Sequence, residues 1–151
     1  MNTSVLFSRQ SDEWQTPVGL FQELHREFNF SLDAAATREN AQCERYFSLA
    51  DRNALTVSWF GEGTIWLNPP YSQCREFIAK AAGEARKGCT VVCLVPSRTD
   101  TRWWHEFIWN AVSHGCRPGV EVRFLRGRLR FVGAPASAPF PSVVLVMRPN
   151  G

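Results

Sequence analysis

An asparagine followed by two prolines and a tyrosine, Asn68-Pro69-Pro70-Tyr71, is the stretch of this 151-residue chain best equipped for chemistry. It follows a strand-like apolar run, Thr64–Leu67, and precedes a helix-like one. Its polar groups therefore fall at the carboxyl end of a strand, where ligands of open α/β sheets bind. An exocyclic amine on an aromatic ring has its lone pair delocalised into the ring. An amide oxygen beside a proline carbonyl offers two acceptors that pull such a nitrogen towards tetrahedral geometry, and Tyr71 can stack on the base. These residue types in this order suit transfer of a methyl group to an amine. The same string also reads as a surface turn, because two prolines remove two backbone donors and break a strand.

The elements on either side must hold that loop in place. Thr16-Pro17 opens a helix, with the threonine as N-cap and the proline at the first helical position; Phe21, Leu24 and Phe28 form its buried stripe and Asn29 ends it. Phe30–Ala36 reads as a buried strand ending in Asp33-Ala34-Ala35-Ala36, whose small side chains let a ligand approach the backbone. An acid at such a strand end accepts hydrogen bonds from a ribose or an ammonium group, or else forms a turn. Thr64–Leu67 is the second strand. A helix over residues 75–87 buries Phe77, Ile78, Ala81, Ala82 and Ala85 before Gly88 stops it, and residues 89–95 form a third strand. A helix over residues 102–112, with Asp100 as N-cap, carries Trp104, Phe107, Ile108 and Ala111 inward. Residues 120–125 and 128–132 alternate around Arg126-Gly127, which predicts a hairpin, and Ser142–Met147 is the last apolar strand. The order predicts an α/β three-layer fold: a mostly parallel central sheet with an antiparallel edge and helices on both faces. Residues 38–62 are too few for two strand-helix crossovers of about a dozen residues or more each, so the sheet is abridged there.

Length predicts one domain over residues 13–151, preceded by a polar arm over residues 1–12. Hydrophobic residues make up 44% and charged residues 21%, a soluble globular composition. The polar start has no hydrophobic signal region and no apolar run approaches the roughly 20 residues that span a membrane, so a cytoplasmic protein is expected. The net charge of +3 is unevenly spread, with six arginines against one acid, Glu121, from residue 114 onwards. Arg126, Arg128 and Arg130 of the predicted hairpin are candidates to hold a polyanion by its phosphates; the alternative is protection of a sheet edge. The cysteines at 43, 74, 89, 93 and 116 form no Cys-x-x-Cys pair and lie near no histidine pair at metal spacing. Reduced, mostly buried thiols and no metal site are expected.

Three separated signatures coincide: Trp14-Gln15-Thr16-Pro17, Leu32-Asp33-Ala34-Ala35-Ala36 and Asn68-Pro69-Pro70-Tyr71. They are followed by Pro96-Ser97-Arg98-Thr99-Asp100-Thr101, Trp104-His105 and Ala138-Pro139-Phe140-Pro141-Ser142. The set resembles the phage-type, Dam-like DNA N6-adenine methyltransferases, over residues 12–147. The resemblance implies an abridged Rossmann-like fold that holds S-adenosylmethionine across the carboxyl ends of the first and neighbouring strands. It assigns Asp33, Ala34 and Ala35 to the cofactor-binding strand end, Thr16 and Pro17 to the methionine part of the cofactor, with Trp14 beside them against the cofactor, and Asp51 to its adenosine or to no contact. It makes Asn68, Pro69, Pro70 and Tyr71 the catalytic loop, with Asn68 also against the cofactor. The implied reaction is methyl transfer to the N6 amine of an adenine flipped out of double-stranded DNA, without a metal; the sequence does not state the oligomeric state, and a monomer is the default. The tetrapeptide alone fits RNA or cytosine N4 as acceptor equally well, and a catalytically silent nucleic-acid-binding protein of the same fold predicts no cofactor binding. His105 is not required as a base, because a methylated exocyclic amine loses its proton to water.

Overall fold

The computed structural model describes residues 14–50 and 53–149; the expected arm, residues 1–12, and Asp51 lie outside them. The chain enters through helix α1 (Val18–Phe28) and reverses into strand β1 (Phe30–Ala36) over Asn29 alone. That reversal needs a left-handed residue, and Asn29 supplies it at φ 53°, donating its N–H to the His25 carbonyl at 2.8 Å. The next N–H, of Phe30, donates to His25 Nδ1 at 3.1 Å.

Strand β2 (Tyr46–Ser48) lies on the outer side of β1, and β3 (Thr64–Leu67) on its inner side. Then come helix α2 (Cys74–Arg86), strand β4 (Thr90–Pro96), helix α3 (Arg102–Phe107), the short strands β5 (Trp109–Asn110) and β6 (Gly115–Cys116), and strands β7 (Val120–Phe124) and β8 (Ser142–Met147). Among the described residues the main sheet has six strands in the order β2-β1-β3-β4-β8-β7. The first four are parallel, and β8 is antiparallel to both of its neighbours.

Both faces are covered, which is why the central strands are apolar without alternation. Val91, Cys93 and Val95 of β4 pack with Phe77, Ile78, Ala81, Trp103 and Trp104 of α2 and α3, while Val92 and Leu94 pack with Phe21 and Leu24 of α1. The expected three-layer α/β arrangement is the one observed. So is the abridged region: residues 37–45 connect β1 to β2 without a helix. A parallel return normally takes longer, but the register pairs Asp33 with Tyr46 and Ala36 with Ser48. The chain need retreat only about 10 Å along the strand direction before pairing again.

Several local expectations are corrected. No hairpin joins residues 120–125 to 128–132; β7 pairs instead with β8, Glu121 opposite Val146 and Phe124 opposite Val143. Every residue of β8 is buried, so β8 offers β7 far more apolar contact than the half-polar stretch after Gly127 could. Leu129 and Phe131 turn inward onto the α1 side, and the Val132 N–H donates to the Gln15 carbonyl at 3.0 Å. Helix α3 stops at Phe107 rather than continuing to residue 112, because Asn110 Oδ1 accepts the N–H groups of Val112 (2.9 Å) and Ser113 (3.3 Å) and folds a turn. Ile108 is buried as expected, but Ala111 is exposed. Asp100 does not cap α3: Thr101 holds that position and its hydroxyl donates to the Arg98 carbonyl at 2.7 Å.

Cys74, Cys89 and Cys93 are buried, Cys43 is half-buried and Cys116 exposed, all as free thiols. No helix among the described residues is long and apolar enough to cross a membrane.

Gly63, just before β3, has φ +82°, and a Cβ there would lie 2.1 Å from Ser31 Oγ, which itself donates to the Glu62 carbonyl at 2.6 Å. Gly61 has nearly the same φ, +84°, with open space around it. Urea unfolding should find Gly61→Ala destabilising by roughly 1 kcal/mol, the left-handed cost alone. Gly63→Ala should cost roughly 2 to 3 kcal/mol, because the Ser31 hydrogen bond is displaced as well. Equal losses would mean that the Ser31 contact contributes nothing.

Candidate active site

Asn68 follows directly on β3 and is held by the segment that leads into α1. Its side-chain nitrogen donates to the Trp14 carbonyl and to Thr16 Oγ1 at 3.0 Å. A backbone carbonyl can only accept, so the nitrogen must face Trp14 and the orientation of the amide is fixed. Oδ1 is thereby turned the other way, buried and without a partner. The Pro69 carbonyl accepts no hydrogen bond among the described residues. Thr16 is not the N-cap of α1: the helix starts at Val18, Pro17 occupies the cap position, and no side chain caps it. One residue further out and 2% exposed, the Thr16 hydroxyl is committed to Asn68 instead.

Asp33, 2% exposed, is the middle residue of β1, level with Trp66 of β3. Its Oδ1 accepts the Ala35 N–H at 3.2 Å and its Oδ2 the Gln42 N–H at 3.0 Å. Burial pushes the carboxyl up to about 7, with those two N–H groups pulling the other way. The bond to Gln42 draws residues 37–42 over the strand end. Thr37 and Asn40 brace that loop by exchanging side-chain to backbone bonds, Thr37 N–H to Asn40 Oδ1 at 2.7 Å and Asn40 N–H to Thr37 Oγ1 at 3.3 Å. Asp33 thus forms a turn and at the same time faces a cleft.

That open cleft, of about 220 Å³, brings together six of the residues singled out from the sequence: Trp14, Thr16, Asp33, Ala35, Asn68 and Pro70. Ala34 is not among them, being turned into the core beneath α2. Pro17 serves as the helix cap, and Asp51 is outside the described residues. Arg126, Arg128 and Arg130 are exposed on the loop after β7 and do not line this cleft. Asn40 and Gln42 also line it and were not anticipated. They lie in the least periodic part of the chain, where no pattern marks them.

Tyr71 sits against a group of aromatic rings. Its ring lies 6.5 Å from Trp14 at an interplanar angle of 19°, 5.6 Å from Phe140 and 6.5 Å from Phe131, both edge-on. Phe131 and Phe140 also meet Trp14 at 5.1 and 5.2 Å. The Tyr71 hydroxyl is buried without a partner, and burial holds the phenol well above its ordinary value. Phe140 belongs to the Ala138–Ser142 signature, but the alternation of residues 128–132 marks Phe131 only as a strand residue and carries no signal of this contact. No group of three or more His, Cys, Asp or Glu among the described residues is placed to hold a metal ion.

Residues 3–149 match the family described as DNA N-6-adenine-methyltransferase (Dam). Over 103 residues the chain is 35% identical to the DNA N-6-adenine-methyltransferase of Escherichia phage T1, covering 68% of this chain and 43% of that protein. It is 32% identical over 103 residues to the DNA N-6-adenine-methyltransferase of Haemophilus phage HP1 (strain HP1c1), covering 66% of this chain and 58% of that protein. The chain spans about half the length of the curated relatives it matches.

The raised carboxyl of Asp33 has a definite consequence for stability. Its proton is bound more tightly in the folded than in the unfolded state, so its contribution is fully present below about pH 4 and is lost as pH rises through about 7. Denaturant unfolding between pH 4 and 7 should show a falling component of up to about 1.4 kcal/mol per pH unit that Asp33→Asn removes. The same slope in both proteins would contradict the burial of an ionisable group at Asp33.

Proposed function

The chain belongs to the DNA N-6-adenine-methyltransferase (Dam) family, and on that premise we propose that it methylates the N6 amine of an adenine flipped out of double-stranded DNA, with S-adenosylmethionine as donor. The observation that carries the reading is the Asn68 amide, whose oxygen is buried, unpartnered and oriented by two fixed bonds to its nitrogen.

The cleft beside it suits S-adenosylmethionine. The Asp33 carboxylate has lone pairs left over from its two backbone bonds for a cationic or hydroxyl-bearing ligand, Ala35 leaves the strand end open to close approach, and Asn40 and Gln42 add polar groups. When bound, S-adenosylmethionine supplies a methyl group activated by a sulfonium.

The protein's own residues then act on the acceptor. Asn68 Oδ1 and the Pro69 carbonyl accept the two N–H bonds of the adenine amine, which draws its lone pair out of the ring and aims it along one direction. Because Trp14 and Thr16 fix the Asn68 oxygen in advance, little reorganisation is needed there as charge develops on the nitrogen. The proton released from that nitrogen leaves to water, so no general base is needed. Tyr71, backed by Phe131 and Phe140, stacks on the flipped ring and returns part of the few kcal/mol that unstacking costs. Arg126, Arg128 and Arg130 hold phosphates.

The direct test is to incubate the protein with S-adenosylmethionine and plasmid from a host lacking DNA methylation, digest to nucleosides and identify the product by mass spectrometry. N6-methyladenine is expected. N4-methylcytosine, methylation of RNA alone, or no methylation with intact DNA binding would each overturn the reading.

Thr16→Val keeps the shape of the side chain and removes one of the two acceptors that hold the Asn68 nitrogen. It should lower kcat about 10- to 100-fold while the Kd for S-adenosylmethionine stays within about twofold, and Thr16→Ser should restore kcat. A rise in Kd with kcat intact would instead make Thr16 a cofactor ligand. Asn68→Ala should lose several orders of magnitude in turnover with little change in cofactor affinity. Replacing Arg126, Arg128 and Arg130 together by alanine should flatten the dependence of DNA affinity on salt by up to about one unit per lost phosphate contact. Identical slopes would leave those arginines as surface charge.

A further inference from the structure

Charge is sorted along the sheet axis. The ion pairs Arg45–Glu62, Lys80–Glu84 and Lys87–Glu84 lie towards the amino ends of the parallel strands, and the Glu27–Arg123–Glu121–Arg148 chain ties β7 to the ends of α1 and β8; Arg75–Glu106 joins the two helices of one layer. At the carboxyl ends, segments 97–102 and 125–132 carry five arginines, at 98, 102, 126, 128 and 130, against one acid, Asp100. All five are exposed, and none pairs with a carboxylate among the described residues.

The two segments come from strands that run the same way, since β4 and β7 are both antiparallel to β8. The ladder pairs Phe124 with Val143 and Val143 with Val95, so Phe124 stands level with the carboxyl end of β4, where segment 97–102 begins. That segment is braced before any ligand arrives, by Thr101 Oγ1 to the Arg98 carbonyl at 2.7 Å and by His105 Nε2 against the Thr99 carbonyl at 2.8 Å. Beside segment 97–102 lies an apolar hollow of about 340 Å³, walled by Thr99, Trp104, His105, Trp109, Val122 and Phe124, the residue from which segment 125–132 leaves. Phe124 forms its rim and is 72% exposed, although its backbone is fixed in the sheet. Asn68 lies three strand spacings away, about 14 Å, a span comparable to the roughly 12 Å width of the DNA major groove.

From this arrangement we infer that Phe124 is a stacking wedge: it enters the base stack of the bound duplex next to the extruded adenine, while Arg98, Arg102 and Arg126 hold phosphates on either side of it. The inference rests on the methyl-transfer reading and adds to it the residue that opens the duplex. An exposed apolar ring beside unpaired arginines is poorly matched to water or to a second copy carrying the same charge, and well matched to a polyanion whose interior is a stack of apolar faces. The gap left by an extruded base is a place for such a ring. Val122, on the same face of β7, packs against the core and fixes the direction in which Phe124 projects.

The test uses the full chain, S-adenosylmethionine with a labelled methyl group, and one phagemid in closed duplex and single-stranded circular forms. Phe124→Ala should lose about tenfold in methylation rate on the duplex, in the range expected for one aromatic stacked on one base. Its loss on the single strand, where no stack has to be opened, should be under about twofold, with cofactor affinity unchanged and Phe124→Trp restoring the duplex rate. Arg98→Ala with Arg102→Ala should flatten the salt dependence of duplex affinity by up to about two units. Equal losses on both forms, or no loss on either, would overturn the wedge while leaving methyl transfer standing, and so would a wild-type dimer that Phe124→Ala dissociates. If the wild type methylates neither form, the methyl-transfer reading fails and duplex affinity decides: an unchanged Kd for Phe124→Ala overturns the wedge, and a tenfold weaker one upholds a stacking contact.

Discussion

The site depends on one side-chain amide with nothing left to choose. Asn68 gives its nitrogen to the Trp14 carbonyl and the Thr16 hydroxyl, and the cost of burying an oxygen without a partner is borne by the fold. An asparagine in water would swing between two equivalent orientations. Here a backbone carbonyl, which can only accept, decides between them, and the acceptor needed for an amine donor is left unpartnered before any substrate arrives. The same contact joins β3 to the start of α1, so the catalytic loop and one wall of the cleft are positioned together.

The sheet makes that placement possible. A parallel strand buried on both faces has few side chains to spare for polar work, so chemistry is pushed towards the ends: Asn68 and the loop after Pro96 follow β3 and β4, and Asp33 within β1 reaches the cleft beside Asn68. Asp33 shows how one residue serves two demands. Its carboxylate closes the turn to Gln42, which allows β2 to join without a helix, and the same group faces the cleft with a proton held far more tightly than an aspartate in water would hold it.

Much of this was legible in the residues. β1, β3 and β8 occur over the spans that their apolar runs indicated, and α1 and α2 to within a residue or two, because continuous apolar strands and helical stripes report burial directly. Asn29 ended α1 as expected of a residue tolerant of left-handed geometry. What failed was decided by partners far away in sequence. Residues 128–132 alternate as an edge strand does, but the strand that β7 pairs with begins at Ser142, and no local pattern can rank the two. The proline of Thr16-Pro17 does mark the helix start, but the threonine beside it, a good N-cap by type, commits its hydroxyl to a residue 52 positions on. Asn40, Gln42 and Phe131 were invisible for the same reason: each acquires its role from a contact that only the folded chain creates.

The fixed amide is open to direct observation in solution. Side-chain NMR of the protein labelled with nitrogen-15 at asparagine should find the two Asn68 NH2 protons well separated in shift and slow to exchange with water, with Thr16→Val deshielding lost for one of them only. Rapid exchange of both protons, or contacts placing either of them in the cleft, would mean that the oxygen is not the group presented to substrate, and would contradict the account at its foundation.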